Sequence, residues 1–333
     1  MAKMQYYYEL TISSSPHAHT ANTSRAIMRH VLIALTPALL GSVFFFGLRA
    51  LAVCLISMAA CFLMEKLWCK FRHLDDKTYD LSALVTGLLL AYVCPPTIPY
   101  WQLLIADAFA ILVVKMLFGG IGKNLFNPAL AARAFLFSWP VSMSTWIKVG
   151  WENQANLLTN NVDMVTAATP LAAMHRYELP AEGLLELLFG RVGGCIGETS
   201  AILLLIGFVY LLITKVITPR IPLAYLGTVA VLTFLFPMGN DPLLWTGSQL
   251  LSGGLMLGAI FMATDYVTSP ITRAGQIVYG ILCGVLTVVI RYFGGYNEGV
   301  SYAILIMNAC VVLLDRIGRP KKFGATGKKV ESK

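Results

Sequence analysis

The chain has 333 residues, of which 57% are hydrophobic and only 13% charged. A soluble globular chain carries about 25% charged and roughly 45–50% apolar residues, so these polar side chains do not suffice to cover a water-exposed surface. A disordered chain, a secreted disulfide scaffold and a nucleic-acid-binding module are excluded as primary readings, and the net charge of +8 becomes a question of where its 25 Lys and Arg lie.

A spanning helix needs roughly 20 mostly apolar residues. Residues 1–26 are polar, include Ser13, Ser14, Ser15 and Pro16, and do not resemble a cleavable signal peptide. Five apolar stretches follow near 27–46, 49–69, 80–94, 98–118 and 126–146. Residues 147–195 break the pattern with Trp151, Glu152, Asn153, Gln154, Asn160, Asn161 and Asp163. Five more apolar stretches run near 196–216, 221–238, 244–264, 275–293 and 300–316, before a basic tail over 317–333. The expected fold class is all-α, a polytopic membrane protein of about ten transmembrane helices in a lipid bilayer.

Placing the N-terminus in the cytoplasm puts most Lys and Arg on that side, including Arg25, Arg29, Lys66, Lys70, Lys115, Lys123, Lys215, Arg220 and Arg273, and the tail. Arg49, Lys148, Arg176, Arg191 and Arg291 fall outside, and Arg133 lies within the fifth span. This satisfies the positive-inside rule, so both termini are expected to be cytoplasmic. The +8 is then chiefly an orientation signal, and no nucleic-acid partner is expected. The organisation is a cytoplasmic segment 1–26, a five-helix half 27–146, an extracytoplasmic loop 147–195, a second five-helix half 196–316 and the tail 317–333. Five is odd, so the halves enter the membrane from opposite sides, which permits a 5+5 inverted repeat. Ser82–Pro96 and Ser252–Pro270 echo one another in Ser, Gly or Thr and a terminal Pro. Each belongs to the third span of its half, a candidate broken helix beside a central site.

Seven cysteines form no CxxC. Cys54, Cys61, Cys69, Cys283 and Cys310 lie in apolar runs, where Cys usually acts as a small buried hydrophobe, and no metal centre is expected. The loop contains Asp163-Met164-Val165-Thr166-Ala167-Ala168-Thr169-Pro170. Small neighbours leave the Thr169 hydroxyl accessible, and Pro170 biases Thr169 towards an extended backbone. An unactivated hydroxyl is a poor nucleophile and needs an outside base. From residue types alone Thr169 reads first as a helix cap or turn, with a modification site as the alternative.

The same stretch resembles the flavinylation sequence Asp-x-x-Ser/Thr-Gly/Ala-Ala-Thr. Asp80–Gly87, Phe118–Phe135, Gly197-Glu198-Thr199-Ser200, Phe261-Met262-Ala263-Thr264-Asp265-Tyr266-Val267-Thr268-Ser269-Pro270 and Glu298-Gly299-Val300-Ser301-Tyr302-Ala303 resemble the same family, with Ser15-Pro16-His17 adding to them. That family is the D subunit of the Rnf ion-translocating electron-transport complex, related to the B subunit of the sodium-pumping NADH:quinone reductase. The resemblance implies FMN joined by a phosphodiester to Thr169 by a flavin transferase, with Asp163 and Thr166 part of the recognised sequence. It implies a bacterial or archaeal cytoplasmic (inner) membrane and partners that include other membrane subunits, an FMN-carrying extracytoplasmic subunit and iron–sulfur subunits. Ala167 stands where glycine is common, and Met116 where the quinone-reductase relatives often place an acid before Phe-Gly-Gly.

Gly119-Gly120-Ile121-Gly122-Lys123 lacks the Gly-to-Gly-Lys spacing and following Ser/Thr of a phosphate loop. It reads as a turn before the Asn127-Pro128 helix start, or as a contact of Lys123 with a second, noncovalent flavin such as riboflavin, which the resemblance permits. Arg133 either meets a flavin oxygen or snorkels. Ionisable groups within spans are functional candidates by default. Asp107 lies mid-span, and Asp265 sits among Thr264, Thr268 and Ser269, an oxygen-rich group suited to Na⁺ or to a proton relay. Glu198 reads as ion path or helix cap, and Glu298 and Asp315 as solvated interface residues.

The expected function is a flavin-carrying subunit that relays electrons and couples them to Na⁺ or H⁺ movement, not a complete enzyme alone and with no catalytic residue of its own. No nicotinamide fingerprint or CxxC cluster motif is present, which assigns ferredoxin oxidation and NAD reduction to partner subunits. Two alternatives stand beside it: the B-type subunit of the quinone reductase, generally longer at its N-terminus, and a small-solute channel or permease, since fold does not decide function.

Overall fold

The computed structural model describes residues 23–73, 78–146, 169–198, 200–295 and 298–318, and these residues form helices and connecting turns without a strand. The first apolar stretch folds as α1 (Ser24–Phe46), capped by the Thr23 hydroxyl, which accepts from the Ala26 N–H at 3.2 Å. Next come α2 (Leu48–Phe71), α3 (Ser82–Tyr92) and α4 (Tyr100–Ala108), which widens into a π-helical continuation over Phe109–Met116. Asn127 caps α5 (Pro128–Leu136) by accepting from Ala129 and Leu130 N–H, and Pro128 occupies the first turn, where its missing donor costs nothing. Short helices α6 (Pro140–Met143), α7 (Pro170–Met174) and α8 (Leu184–Phe189) follow.

The second set comprises α9 (Ala201–Ile213), α10 (Arg220–Leu235), α11 (Pro242–Leu251), α12 (Leu255–Leu257) with a π-helical run Gly258–Met262, α13 (Arg273–Phe293) and α14 (Val300–Leu314). Every apolar stretch read from the sequence therefore holds a helix, but many are shorter than expected. Among the described residues α1, α2 and α13 are each long and apolar enough to cross a membrane singly. The pair α11 and Leu255–Met262 reaches that length only as a span bent by 62°. Helices α3, α9, α10 and α14 are shorter apolar helices. Freed backbone groups are tolerated at membrane depth only where protein surrounds them, and the breaks here are enclosed. Ile196 and Gly197 N–H donate to the carbonyls of Cys94 and Tyr92, just past α3.

The surface carries Leu40, Phe44, Leu48, Leu55, Leu63 and Leu67, while Arg49, Ser57, Glu65, Asp107 and Lys115 are buried. That inversion of the soluble pattern is what a lipid-facing bundle requires, and the protein is an all-helical polytopic membrane protein. Helix α2 packs on α3 and α4, as α10 packs on α11 and α13. Across the two sets, α1 meets α9 and α5 meets α14, each a pairing of corresponding helices. The two elements singled out by their Ser/Gly/Pro echo are the innermost ones: nearly all of α3, and every residue of Leu255–Met262, is buried.

Two sets of charges sit differently from their expected places. Lys115, counted with the cytoplasmic loop charges, is buried and donates to Glu65 Oε2 at 2.7 Å, because the π-helical turn aims it at α2. Arg49 and Arg291, assigned to the outer side, are buried too. Arg49 donates to the carbonyls of Pro96 and Ile98, and Arg291 to those of Gln249 and Ser252, so both hold breaks in the helical chain.

Candidate functional site

Two cavities lie at opposite ends of α5 and of the Leu255–Met262 segment. The larger, about 240 Å³, is lined by Arg133, Phe137, Pro140 and Met143 from α5 and α6, with Trp146 just beyond them. Thr169–Leu171, Val192–Gly194, Glu198, Leu251–Gly253, Gly295 and Glu298 close it. Thr169 is half-buried at the start of α7, where its hydroxyl accepts from the Ala172 N–H at 3.3 Å while its backbone is extended. The cap and the cavity wall are thus the same residue. Asp163 and Thr166 lie outside the described residues.

Arg133 is the floor of this cavity. Its Nη1 donates to Glu298 Oε1 at 2.9 Å and to Ser301 Oγ at 3.1 Å, and its Nη2 donates to Glu298 Oε2. Glu198 Oε1 lies 3.6 Å from Nη2. Arg133 therefore does not snorkel to an interface; it is buried, and two separate chain segments each bring it an acid. Glu298, expected to be solvated, is drawn inward as its fork partner. Glu198 does not cap a helix either: Ser200 holds the cap position of α9, and Glu198 is buried against Arg133. Gly254 completes the cradle. Its N–H donates to Glu298 Oε1 at 3.2 Å, and a Cβ there would stand 2.6 Å from that oxygen.

This cavity retains unused polar capacity. Arg133 Nε, Glu198 Oε1 and Ser252 Oγ are buried with no hydrogen-bond partner. Buried polar atoms are ordinarily paired, so three such atoms around one cavity point to a polar ligand. Apolar walls from Phe137, Met143 and Trp146 beside them suit a planar ring bearing carbonyl and hydroxyl groups. The residues present thus fit a flavin.

The smaller cavity, about 80 Å³, is lined by Ser82, Thr86, Lys115, Ile121, Asn124, Asn127, Thr264 and Asp265 among others. Thr268 Oγ1 donates to Asp265 Oδ2 at 3.1 Å, whereas the Thr264 hydroxyl turns back to the Ile260 carbonyl at 2.6 Å. Of the oxygen-rich group, Thr268 engages Asp265 directly. The glycine run beside this cavity is a turn: Gly119, Gly120 and Gly122 have φ of 106°, 86° and 86°, a left-handed backbone that favours glycine. Lys123 is exposed on that turn and lines neither cavity. Asp107 lines neither cavity and lies inside the α2–α4 contact, where Ser57 Oγ is 2.6 Å from its Oδ1.

Sequence reasoning considered Arg133 beside a second flavin near the Gly119–Lys123 turn, whereas the structure places it in the cavity lined by Thr169; it missed Ser252 and the Glu65–Lys115 pair and read Glu298 as solvated. The signal for Glu298 was its place in the Glu298-Gly299-Val300-Ser301 stretch, whose Ser301 also meets Arg133.

The profile of the family described as NQR2, RnfD, RnfE matches residues 11–324. The chain is 44% identical to the D subunit of the Na(+)-translocating ferredoxin:NAD(+) oxidoreductase complex of Acetobacterium woodii, over 97% of this chain and 98% of the relative. It is 43% identical to the D subunit of the proton-translocating ferredoxin:NAD(+) oxidoreductase complex of Clostridium ljungdahlii, over 94% and 96%. Against the D subunit of the ion-translocating oxidoreductase complex of Aliivibrio salmonicida the identity is 36%, over 94% and 98%. These full-length matches, which take in the stretches that build the two cavities, show that the chain belongs to the NQR2, RnfD, RnfE family.

Proposed function

We propose that this chain is the flavin-carrying membrane subunit of an ion-translocating ferredoxin:NAD-type oxidoreductase complex, with FMN joined through a phosphodiester to Thr169. The relatives are named as subunits of such complexes, so the chain acts as one part of an oxidoreductase and not alone. The observation that carries the flavin reading is the shared cavity: Thr169 stands at its wall, and Arg133 Nε, Glu198 Oε1 and Ser252 Oγ, buried without a hydrogen bond, belong to residues lining the same space. Flavin, when bound, supplies the electron-carrying chemistry. The chain's own contribution is to anchor it at Thr169, flank it with Phe137 and Trp146, offer Arg133 Nε and Ser252 Oγ as donors, and exclude water. Asp163 and Thr166 belong to the sequence a flavin transferase reads.

Ion movement is proposed at the opposite end of α5, where Asp265 and Thr264 line the small cavity. Two relatives of nearly equal identity to this chain are named for different ions, Na⁺ and protons, so overall similarity does not select between them. A second, noncovalent flavin such as riboflavin at the Gly119–Lys123 turn would need space formed with a partner subunit. The cavity there matches the volume of only a few water molecules. In this reading the chain sits in a bacterial or archaeal cytoplasmic membrane with both termini inside and Thr169 outside. The halves 27–146 and 196–316 flank that outer segment, and iron–sulfur and FMN-carrying subunits are its partners.

Intact-mass measurement of the chain co-expressed with a flavin transferase tests the proposal. The expected result is one added FMN in the wild type and none in Thr169→Ala. An unmodified wild-type mass would remove covalent FMN on Thr169 from the proposal.

A further inference from the structure

Asp107 is fully buried in the bundle, and among the described residues no cation forms an ion pair with it. An isolated carboxylate in such a place is strongly disfavoured and neutralises instead. The hydrogen-bond arithmetic agrees. Ser57 Oγ lies 2.6 Å from Asp107 Oδ1 and 2.9 Å from the Gly87 carbonyl oxygen. A serine hydroxyl has one hydrogen, and Gly87 O offers none. If Asp107 were ionised, Ser57 could satisfy only one of these oxygens, leaving the other contact as bare oxygen against oxygen. If Asp107 carries a proton and donates it to Ser57 Oγ, Ser57 donates onward to Gly87 O and both contacts are hydrogen bonds. Asp107 Oδ2, also buried, has no partner.

A second polar chain ends at Glu65, one helical turn from Cys61. Ser57, Cys61 and Glu65 recur every four residues on one face of α2. They face Asp107 on α4 and Lys115 on its π-helical continuation: Cys61 Sγ lies 3.3 Å from Asp107 Oδ1, and Lys115 Nζ lies 2.7 Å from Glu65 Oε2. Lys115 also donates to Ser82 Oγ at 2.6 Å, and Ser82 donates to Asp80, which is partly exposed. Lys115 and Ser82 both line the small cavity. Of the remaining titratable groups on the packed elements, Cys94 beyond α3 is buried near Asp107, and Arg133 of α5 is committed to Glu298 and Glu198.

We propose that Asp107 is a proton-holding site, loaded from the Asp80 face through the Lys115–Glu65 pair. A proton taken up at the small cavity neutralises the Glu65 carboxylate. Glu65 passes it along the helix, past Cys61, to an emptied Asp107 carboxylate and returns to its pair with Lys115. One proton enters, one is stored, and the ion pair is restored. This deepens the ion-coupling part of the proposed function, and its test needs neither flavin nor turnover.

Infrared spectroscopy of the full chain in membranes reads the carbonyl stretch of a protonated carboxylic acid. The wild type is expected to show such a band, lost in Asp107→Asn and shifted, not lost, in Ser57→Ala, where the acid survives without its partner. Glu65→Gln should keep the band but slow its shift on transfer to heavy water. A spectrum in which Asp107→Asn removes no acid band, while the variant remains folded by circular dichroism, overturns the proton-holding site. Unchanged exchange in Glu65→Gln overturns the route. Loss of FMN in Thr169→Ala, or its absence in the wild type, would leave these bands where they are, so the flavin reading and this one fail separately.

Discussion

Arg133 and Glu298 stand 165 residues apart in the chain and meet as a two-pronged ion pair, Nη1 to Oε1 and Nη2 to Oε2, beneath the cavity that Thr169 lines. Such forks are geometrically selective and stronger than single charge-assisted bonds. Here the pair also ties α5 to the segment before α14. Replacing Arg133 by Gln leaves Glu298 and Glu198 together without their cation. Removing one partner of a buried pair costs about 3–5 kcal/mol, so Arg133→Gln should lower the melting temperature of the purified chain sharply. Arg133→Lys, which keeps charge but not the fork, should fall between it and the wild type.

Gly254 provides a steric test of the same cradle. An alanine Cβ would press on Glu298 Oε1 at 2.6 Å, whereas one at Gly227 in α10 meets nothing within 4 Å. Gly254→Ala should displace Glu298, lower the melting temperature and leave the covalent flavin on Thr169. Gly227→Ala should leave flavin content unchanged and add about 0.4–1 kcal/mol of stability. Flavin absorbance per chain and thermal denaturation check both.

How much of this was legible beforehand follows from the range of the forces involved. Apolar runs are local, and each one predicted from the sequence holds a helix. The shortness of α3 and α9 was not legible, because the chain beside them is secured by partners such as Cys94 O and Ile196 N, about a hundred residues apart. Charge counting placed Lys115 on the cytoplasmic side because it sees sequence position, not the π-helical turn that swings the side chain onto Glu65. Thr169 is a candidate through its surrounding motif, and the structure places it on the wall of the larger cavity. Glu298 was not legible, because an acid near a helix end looks solvated until Arg133 is seen opposite it.

The Glu65–Lys115 pair predicts non-additive behaviour. Lys115→Met alone strands a buried carboxylate and should destabilise by about 3–5 kcal/mol, whereas Glu65→Leu combined with Lys115→Met should recover much of that loss. Denaturation of the two single variants and the double variant measures the coupling. Additive losses would place the pair in a more solvated setting than its burial indicates.

Asp265, at the far end of α5 from Thr169, predicts a separation of functions. Asp265→Asn should impair ion uptake by vesicles carrying the assembled complex while leaving flavin on Thr169. Unchanged uptake would remove Asp265 from the ion path.

The central claim is covalent flavin on one threonine, and a denaturing gel viewed under ultraviolet light tests it most directly. With a flavin transferase present, the wild-type chain should fluoresce after denaturation, Thr169→Ala should be dark, and Arg133→Gln should still fluoresce if it is made at all. A dark wild-type band, or a fluorescent Thr169→Ala chain, would contradict the account.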